Sequence, residues 1–461
     1  MEALKIDGRL TKWTALIILE MAIGVYCIIM PSKTAILLLV LVPIAISMMS
    51  NYFFAYLLGI FLLPVWSITL TGQAEAAGQV DLRFSDACFI IAGLSWVANR
   101  ITKRHVEIRG SYVDLWLVAF MLWVFLSIWW SPSLAVGGKE FLRKLNGVFI
   151  FYLTINLVRN KRELDLTLLT WIISGGLAAF VALYEVFTEI LQRVTGISKR
   201  TMTRWGFLRA TALKEGANRL GFFMNTCLII TISQFFLQPR RKFRLLSVLL
   251  VVIMIFALMS TFSRNSVMGF VVGTMILFHI TKKGGKKFFI AGAVIAVLFF
   301  VVSGPAYRNV YIKRISGLLE PQETRSVEGR TVVWEAAFRM IGEKPFHGAG
   351  AGGFHVLSES YGARRLKSPH SLYVYLAAEY GIIGFMLFAG AAVAFWRYVK
   401  YGLKSSSDAR ETCVLAALFA TIAVYAFQGL IVNFVLIERE FWALLGLNVA
   451  AIRIYTEGES Q

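Results

Sequence analysis

Residues 245–260 read "LLSVLLVVIMIFALMS", a run with no charged side chain. A helix of that composition is apolar on every face, so every face must be covered by protein or by lipid. Residues 34–49, "TAILLLVLVPIAISMM", repeat the pattern. Runs of this kind approach the roughly 20 residues that cross the hydrocarbon core of a bilayer. The whole chain agrees: of 461 residues 57% are hydrophobic and 16% charged, with a mean hydropathy of +0.67. Soluble domains are rarely so apolar. The expected fold is an all-α polytopic membrane protein, not a string of soluble domains.

Spans are expected near residues 13–30, 34–50, 52–70, 84–98, 112–130, 146–158, 165–188, 218–237, 245–262, 265–281, 288–303, 371–396, 411–430 and 436–455, about 12–14 helices in all. The first apolar run follows the basic "KIDGRLTK" and leads straight into another, which reads as a span rather than a cleavable leader. The chain divides into an N-terminal transmembrane body, 1–303, one large loop, 304–370, and C-terminal transmembrane helices, 371–461. Cys27, Cys88, Cys227 and Cys413 all sit in apolar runs without C-x-x-C spacing, as buried thiols do.

The formal net charge is +20. In a chain this apolar, that charge is first a topology signal and not a sign of nucleic-acid binding. Basic clusters recur at alternate connections: "NRITKRHVEIR" (99–109), "VRNKRE", "PRRKFR", "TKKGGKK" and "WRYVKYGLK". Placing them in the cytoplasm puts both termini inside. Two segments then stand outside although they too are basic. Residues 189–219 carry Arg193, Lys199, Arg200, Arg204, Arg209, Lys214 and Arg219. The loop 304–370 carries Arg308, Lys313, Arg314, Arg325, Arg330, Arg339, Lys344, Arg364, Arg365 and Lys367. Outward cations oppose the topology rule, so they answer to an anion: a ligand, or in part the lipid headgroups.

"HGAGAGGF" contains G-x-G-x-x-G at Gly348, Gly350 and Gly353. Its nucleotide-binding meaning needs a preceding strand, whereas "RTVVWEAAFRMIGEKPF" reads as an amphipathic helix with Val333, Ala337, Met340 and Ile341 on one face and Pro345 as its stop. A backbone turn is the better reading. Arg330 opens that helix with Trp334 one turn on. Together they suit a phosphate and a sugar ring, or equally packing on the membrane surface. Arg264, in "MSTFSRNSVMGF", sits at a boundary between two spans, where it snorkels or serves as a functional cation. Asn218 stands where it can cap the span that follows Arg209.

In "SPHSLYVYLAAEYGIIGF" (368–385), Ser368 reads as the N-cap and Pro369 as the first helical residue. His370 then falls in the first turn. The positive helix end favours neutral imidazole, the form a general base requires. Glu379, nine residues on, is about 13 Å along the axis and half a turn out of phase, so the two cannot pair directly. Glu379 is expected to partner an arginine or to brace a bend at Gly381 and Gly384. No D-x-D or metal-spaced cluster occurs in the outward segments, which leaves Arg and Lys to neutralise an anion without a metal or other cofactor.

"SR" at 263–264, "GRTVVWEAAFRMIGEKPFHGAGAGGF" at 329–354 and "PHSLYVYLAAEYGIIG" at 369–384 together resemble the O-antigen ligase and O-antigen polymerase superfamily of bacterial cell-surface polysaccharide assembly. The resemblance covers about residues 200–400. It implies a GT-C-like membrane glycosyltransferase on the outer face of the cytoplasmic membrane. The donor would be a polyprenyl-pyrophosphate glycan, and the acceptor a glycan, lipid or protein. By position, Arg209, Arg264 and Arg330 would hold the pyrophosphate and His370 would act on the acceptor hydroxyl. Arg204, Lys214, Asn218, Trp334, Arg339, Tyr373 and Glu379 would line the substrate site. Around Arg209 the family has a glycine soon after the arginine and Pro-Asn at the helix start. Here those places read Ala212 and Ala217-Asn218.

Overall fold

The computed structural model describes residues 47–65, 83–102, 107–195, 209–212, 214, 216–237, 240–282, 324–363, 368–406 and 408–458. The expected spans at 13–30 and 288–303, most of the one at 34–50, Cys27, Arg204 and residues 304–323 lie outside this set. So does the side chain of Arg330. Among the described residues every regular element is helical, and the chain is an all-α polytopic membrane protein.

Contacts divide the chain into two units. The first comprises residues 1–59 and 85–107. It holds most of helices α1 (Tyr52–Phe61) and α2 (Phe84–Thr102). Asn51 caps α1, its side-chain oxygen accepting the N–H groups of Phe53 and Phe54 at 3.1 Å. The ring of Phe89 lies across Gly59.

The second unit contains α3 (Asp114–Leu126), α4 (Leu134–Leu157), α5 (Lys161–Thr195), α6 (Ala217–Leu237), α7 (Arg241–Ser260), α8 (Arg264–Thr281), α9 (Thr324–Glu343), α10 (Gly353–Leu357), α11 (Leu372–Ser405), α12 (Ala409–Gln428) and α13 (Arg439–Thr456). Five described segments are long and apolar enough to span a membrane: Lys161–Thr188 of α5, and the whole of α6, α7, α11 and α12. Helix α6 is buried almost all round and packs against α5, α7, α8 and α12. Helix α13 is similarly enclosed by α4, α11 and α12. The outward faces are apolar as well. Leu115, Val118 and Leu122 on α3, Ile173 and Phe180 on α5, and Leu245 and Leu249 on α7 are exposed. A continuous apolar exterior of this kind is what a bilayer solvates.

Two helix starts differ from the sequence reading. The cap of α11 is Ser371, not Ser368. Ser371 has extended backbone angles (φ −149°, ψ 127°) and its hydroxyl accepts from the Val374 N–H. His370 therefore precedes the helix instead of lying in its first turn. Helix α9 begins at Thr324, six residues before Arg330. A lone Gly329 costs about 1 kcal/mol, which does not stop a helix whose Val333, Ala336, Ala337 and Met340 are buried.

The expected bend in α11 is present. Gly381 has φ 65° and ψ −170°, breaking the helical run. The segment after α9 fits into that break. The Ile382 N–H donates to the Pro345 carbonyl at 2.8 Å, and the Ala349 and Gly350 N–H groups donate to the carbonyls of Ala378 and Glu379 at 2.9 Å. A side chain at Gly381 would lie 2.2 Å from the Phe346 carbonyl oxygen, and one at Gly348 2.4 Å from the Glu379 backbone. Both positions also have positive φ, so glycine is required twice over.

Candidate active site where three helices begin

The N-termini of α6, α8 and α11 gather at one end of the second unit. The Ala210 N–H donates to the Ser260 carbonyl at 3.1 Å, which seats the segment before α6 on the α7–α8 turn. The Gln428 amide donates to the Asn265 carbonyl at 3.3 Å. The Leu372 N–H donates to the Gly429 carbonyl at 2.7 Å. The end of α12 is thus the common neighbour of both starts, α8 and α11. Each helix start brings a positive dipole end, which favours an anion.

Arg209 is fixed on this end. Its Nε donates to the Thr261 carbonyl at 2.8 Å, and one terminal nitrogen donates to Asn218 Oδ1 at 3.0 Å. Asn218 lies inside the first turn of α6 and holds this arginine instead of capping the helix. Arg264 is the first residue of α8, is exposed, and follows the N-cap Ser263. His370 is exposed just ahead of the Ser371 cap. Tyr373 donates its hydroxyl to the Ala426 carbonyl at 2.8 Å.

Backbone strain concentrates here. Among the described non-glycine residues, four have left-handed φ: Ala212 (41°), Phe262 (51°), His370 (49°) and Lys282 (53°). Lys282 closes α8 at its far end. The other three lie within three residues of Arg209, Arg264 or His370, or are that residue. Such angles cost about 1–3 kcal/mol each and persist where surrounding structure imposes them, often at functional sites. Ala212 occupies the place where the resembled family has glycine, and it adopts the φ that glycine favours.

Helix α9 is tied to the same end. The Trp334 indole N–H donates to the Pro369 carbonyl at 2.7 Å. Arg330, one turn earlier, is thereby carried on a helix anchored beside His370. Arg339 is exposed on α9, 4.0 Å from Glu335.

Two residues expected to meet a ligand are covered by protein. Lys214 has no exposed side-chain surface and is paired with Glu440. Next to them Arg219 pairs with Glu438 at 3.2 Å. A buried ammonium needs a partner, and Glu440 is nearer than any solvent-borne anion. Glu379 is 1% exposed and sits seven residues, about 10 Å, below the start of α11. Its carboxylate accepts from the Gly352 N–H at 3.0 Å and the Phe354 N–H at 3.3 Å. The anticipated arginine partner is replaced by backbone N–H groups and by Lys144. The glycine turn that resembles a phosphate cradle therefore cradles a protein carboxylate. Lys144 donates to Glu140 at 3.0 Å, and Tyr375 donates to the same carboxylate at 3.2 Å. Lys144 also lies 5.6 and 5.5 Å from the ring centres of Tyr375 and Tyr380.

Glu140, Lys144, Glu185, Glu438 and Glu440 were not anticipated as members of this region. Glu185 accepts the N–H groups of Thr211 and Ala212 at 2.9 and 3.0 Å, holding the strained turn after Arg209. Sequence offered two signals: the i,i+4 pair Glu140–Lys144 just before an expected span, and two carboxylates in "ERE" at 438–440.

Residues 249–389 match the family model described as O-antigen ligase. That stretch contains Arg264, Arg330, Trp334, Arg339, His370, Tyr373 and Glu379. A curated relative, the teichuronic acid biosynthesis protein TuaE of Bacillus subtilis (strain 168), is 18% identical over 465 residues, covering 95% of this chain and 90% of that one. Residues 249–389 are thus similar to the O-antigen ligase family, the same resemblance that the spaced Arg, His and Glu motifs carry.

Proposed function

We propose that this protein is a membrane glycosyltransferase of cell-surface polysaccharide assembly. It takes a glycan from a polyprenyl pyrophosphate carrier and passes it to an acceptor hydroxyl on the outer face of the cytoplasmic membrane. The observation that carries this reading is the gathering of Arg209, Arg264 and His370 at three helix starts, each beside a strained backbone angle. Arginines and positive helix ends suit a pyrophosphate. A histidine at the rim suits a base for an incoming hydroxyl.

The step is a single displacement. The acceptor oxygen bonds to the donor's anomeric carbon while His370 takes its proton. The bond from that carbon to the pyrophosphate oxygen breaks, and the leaving pyrophosphate departs with the electron pair. Arg209, Arg264 and Arg330 stabilise the charge that gathers on it. One displacement inverts the anomeric configuration. The GT-C-like body holds the donor at the membrane surface.

Ligase and polymerase share this chemistry and differ in acceptor. We favour the ligase type on the description of the matched family, while a polymerase would join two lipid-linked repeats. The relative named for teichuronic acid biosynthesis belongs with either. A flippase of lipid-linked oligosaccharide would carry its charges along a central path, whereas the arginines and histidine described here sit at one end. Purified protein incubated with a polyprenyl-pyrophosphate glycan and candidate acceptors tests the proposal. Transfer to a core lipid, wall polymer or protein marks a ligase, a ladder of lipid-linked products marks a polymerase, and no transfer to any acceptor overturns both.

A further inference from the structure

Glu185 lies on α5, just before its apolar segment ends at Thr188. The neighbouring Tyr184 and Phe187 are both 62% exposed, so this stretch of α5 borders lipid. A carboxylate is kept on such a helix only for a partner. Here the partners are two successive backbone N–H groups. One oxygen, Oε2, accepts from Thr211 at 2.9 Å and from Ala212 at 3.0 Å. The same two residues open a tight turn, closed by the Lys214 N–H donating to the Thr211 carbonyl at 2.9 Å. Ala212, second in that turn, has φ 41°. Turns with positive φ at that place are dominated by glycine, asparagine and aspartate. Alanine adopts it here with two N–H groups aimed at one carboxylate oxygen, the concave arrangement that holds anions. Glu185 thus stabilises a conformation that alanine disfavours.

That turn decides where Arg209 points. Arg209 stands just ahead of it, its guanidinium oriented by the Thr261 carbonyl and by Asn218. The rest of the segment is anchored without Glu185: the Ala210 N–H to the Ser260 carbonyl, Lys214 to Glu440 and Arg219 to Glu438. Loss of the Glu185 carboxylate therefore leaves the segment seated and loosens only the turn between Arg209 and Lys214. We infer that Glu185 is a positioning residue for Arg209, setting the angle at which the guanidinium meets the donor's pyrophosphate. This rests on the donor role proposed above for Arg209, and it deepens that reading with a residue outside the matched stretch 249–389.

The test measures binding of a glycan-free polyprenyl diphosphate to the full-length protein in nanodiscs, so it does not depend on transfer. Glu185→Leu removes the acceptor, whereas Glu185→Gln keeps an oxygen that can take both N–H groups. E185L should weaken binding about tenfold, the loss expected when one charged hydrogen bond to the ligand is misaligned, and E185Q should stay within about twofold. In an R209A background E185L should cost less than about twofold more, because the carboxylate acts through that arginine alone. A second variant guards against misfolding. Glycine takes a positive φ without support, so A212G alone should bind as the parent does and E185L/A212G should regain most of the lost affinity. Equal losses from E185L with and without Arg209, a loss in E185Q as large as in E185L, or no recovery in E185L/A212G would overturn the inference. So would tighter binding by E185L, which would make Glu185 a competitor of the diphosphate. If R209A weakens binding and E185L does not, this inference falls and the donor role of Arg209 stands. If R209A itself leaves binding unchanged, both fall.

Discussion

The Trp334 indole donates to the Pro369 carbonyl at 2.7 Å, joining the helix that carries Arg330 to the residue before His370. Two groups that belong to opposite halves of the proposed reaction are thereby held on one hydrogen bond. W334F keeps the ring and removes the donor. A bond of this kind is worth about 1 kcal/mol, so turnover should fall roughly fivefold if positioning is its role. Single-turnover transfer at saturating substrates measures this, and an unchanged rate would show that the two halves are positioned independently.

Arg264→Lys and Arg330→Lys should lose far more than the retained charge suggests. Lysine keeps the positive charge but not the planar fork that binds two phosphate oxygens at once. Loss of one such contact in the transition state costs on the order of 2–4 kcal/mol, about 10²–10³ in rate. Near-normal rates in both lysine variants would mean that these residues only meet lipid headgroups.

Lys144, fully buried, pairs with the part-exposed Glu140 beneath the site, and Glu140 also holds Arg143. Breaking such a pair by removing one member costs about 3–5 kcal/mol, whereas removing both is often nearly neutral. K144M should therefore lower the melting temperature strongly, and K144M/E140Q should regain at least half of the loss. A double variant as unstable as the single one would show that Lys144 acts mainly on Glu379.

G381A places a methyl group 2.2 Å from the Phe346 carbonyl oxygen at a φ of 65°. The glycine turn cannot then seat in the bend of α11. Thermal unfolding in detergent should fall by several degrees, and the protein should yield poorly. A melting temperature within about 1 °C of the parent would mean that the bend can relax elsewhere.

Chelator should not stop transfer, because segments 189–219 and 304–370 have no D-x-D and the charge falls to arginines. Assays with and without chelator decide it. Loss of activity restored by magnesium or manganese would sink the arginine-based account.

The fold class was legible because lipid solvation leaves a blunt mark: "LLSVLLVVIMIFALMS" became α7, and the expected span at 218–237 matches α6 to within a residue. The bend at Gly381 was legible too, since two glycines after an intramembrane glutamate mark one. Caps were read less well. Ser368 and Ser371 are equivalent by type, and the Leu372–Gly429 hydrogen bond, which involves residues far apart in sequence, selects the second. The partner of Glu379 was hidden for the same reason. Backbone N–H groups of Gly352 and Phe354 carry no charge to be read, and Lys144 lies more than two hundred residues upstream. Ala212 shows the converse: an apparent departure from the family pattern keeps the backbone angle that the pattern encodes.

The central claim is that His370 acts on the acceptor while the arginines act on the donor. His370→Ala separates the two. Removing a general base costs about 10²–10⁴ in rate, so single-turnover transfer should collapse while affinity for the polyprenyl-pyrophosphate donor stays within about twofold. If His370→Ala instead loses donor affinity and keeps its turnover rate, the histidine is a pyrophosphate ligand, and the division of labour between His370 and the arginines is contradicted.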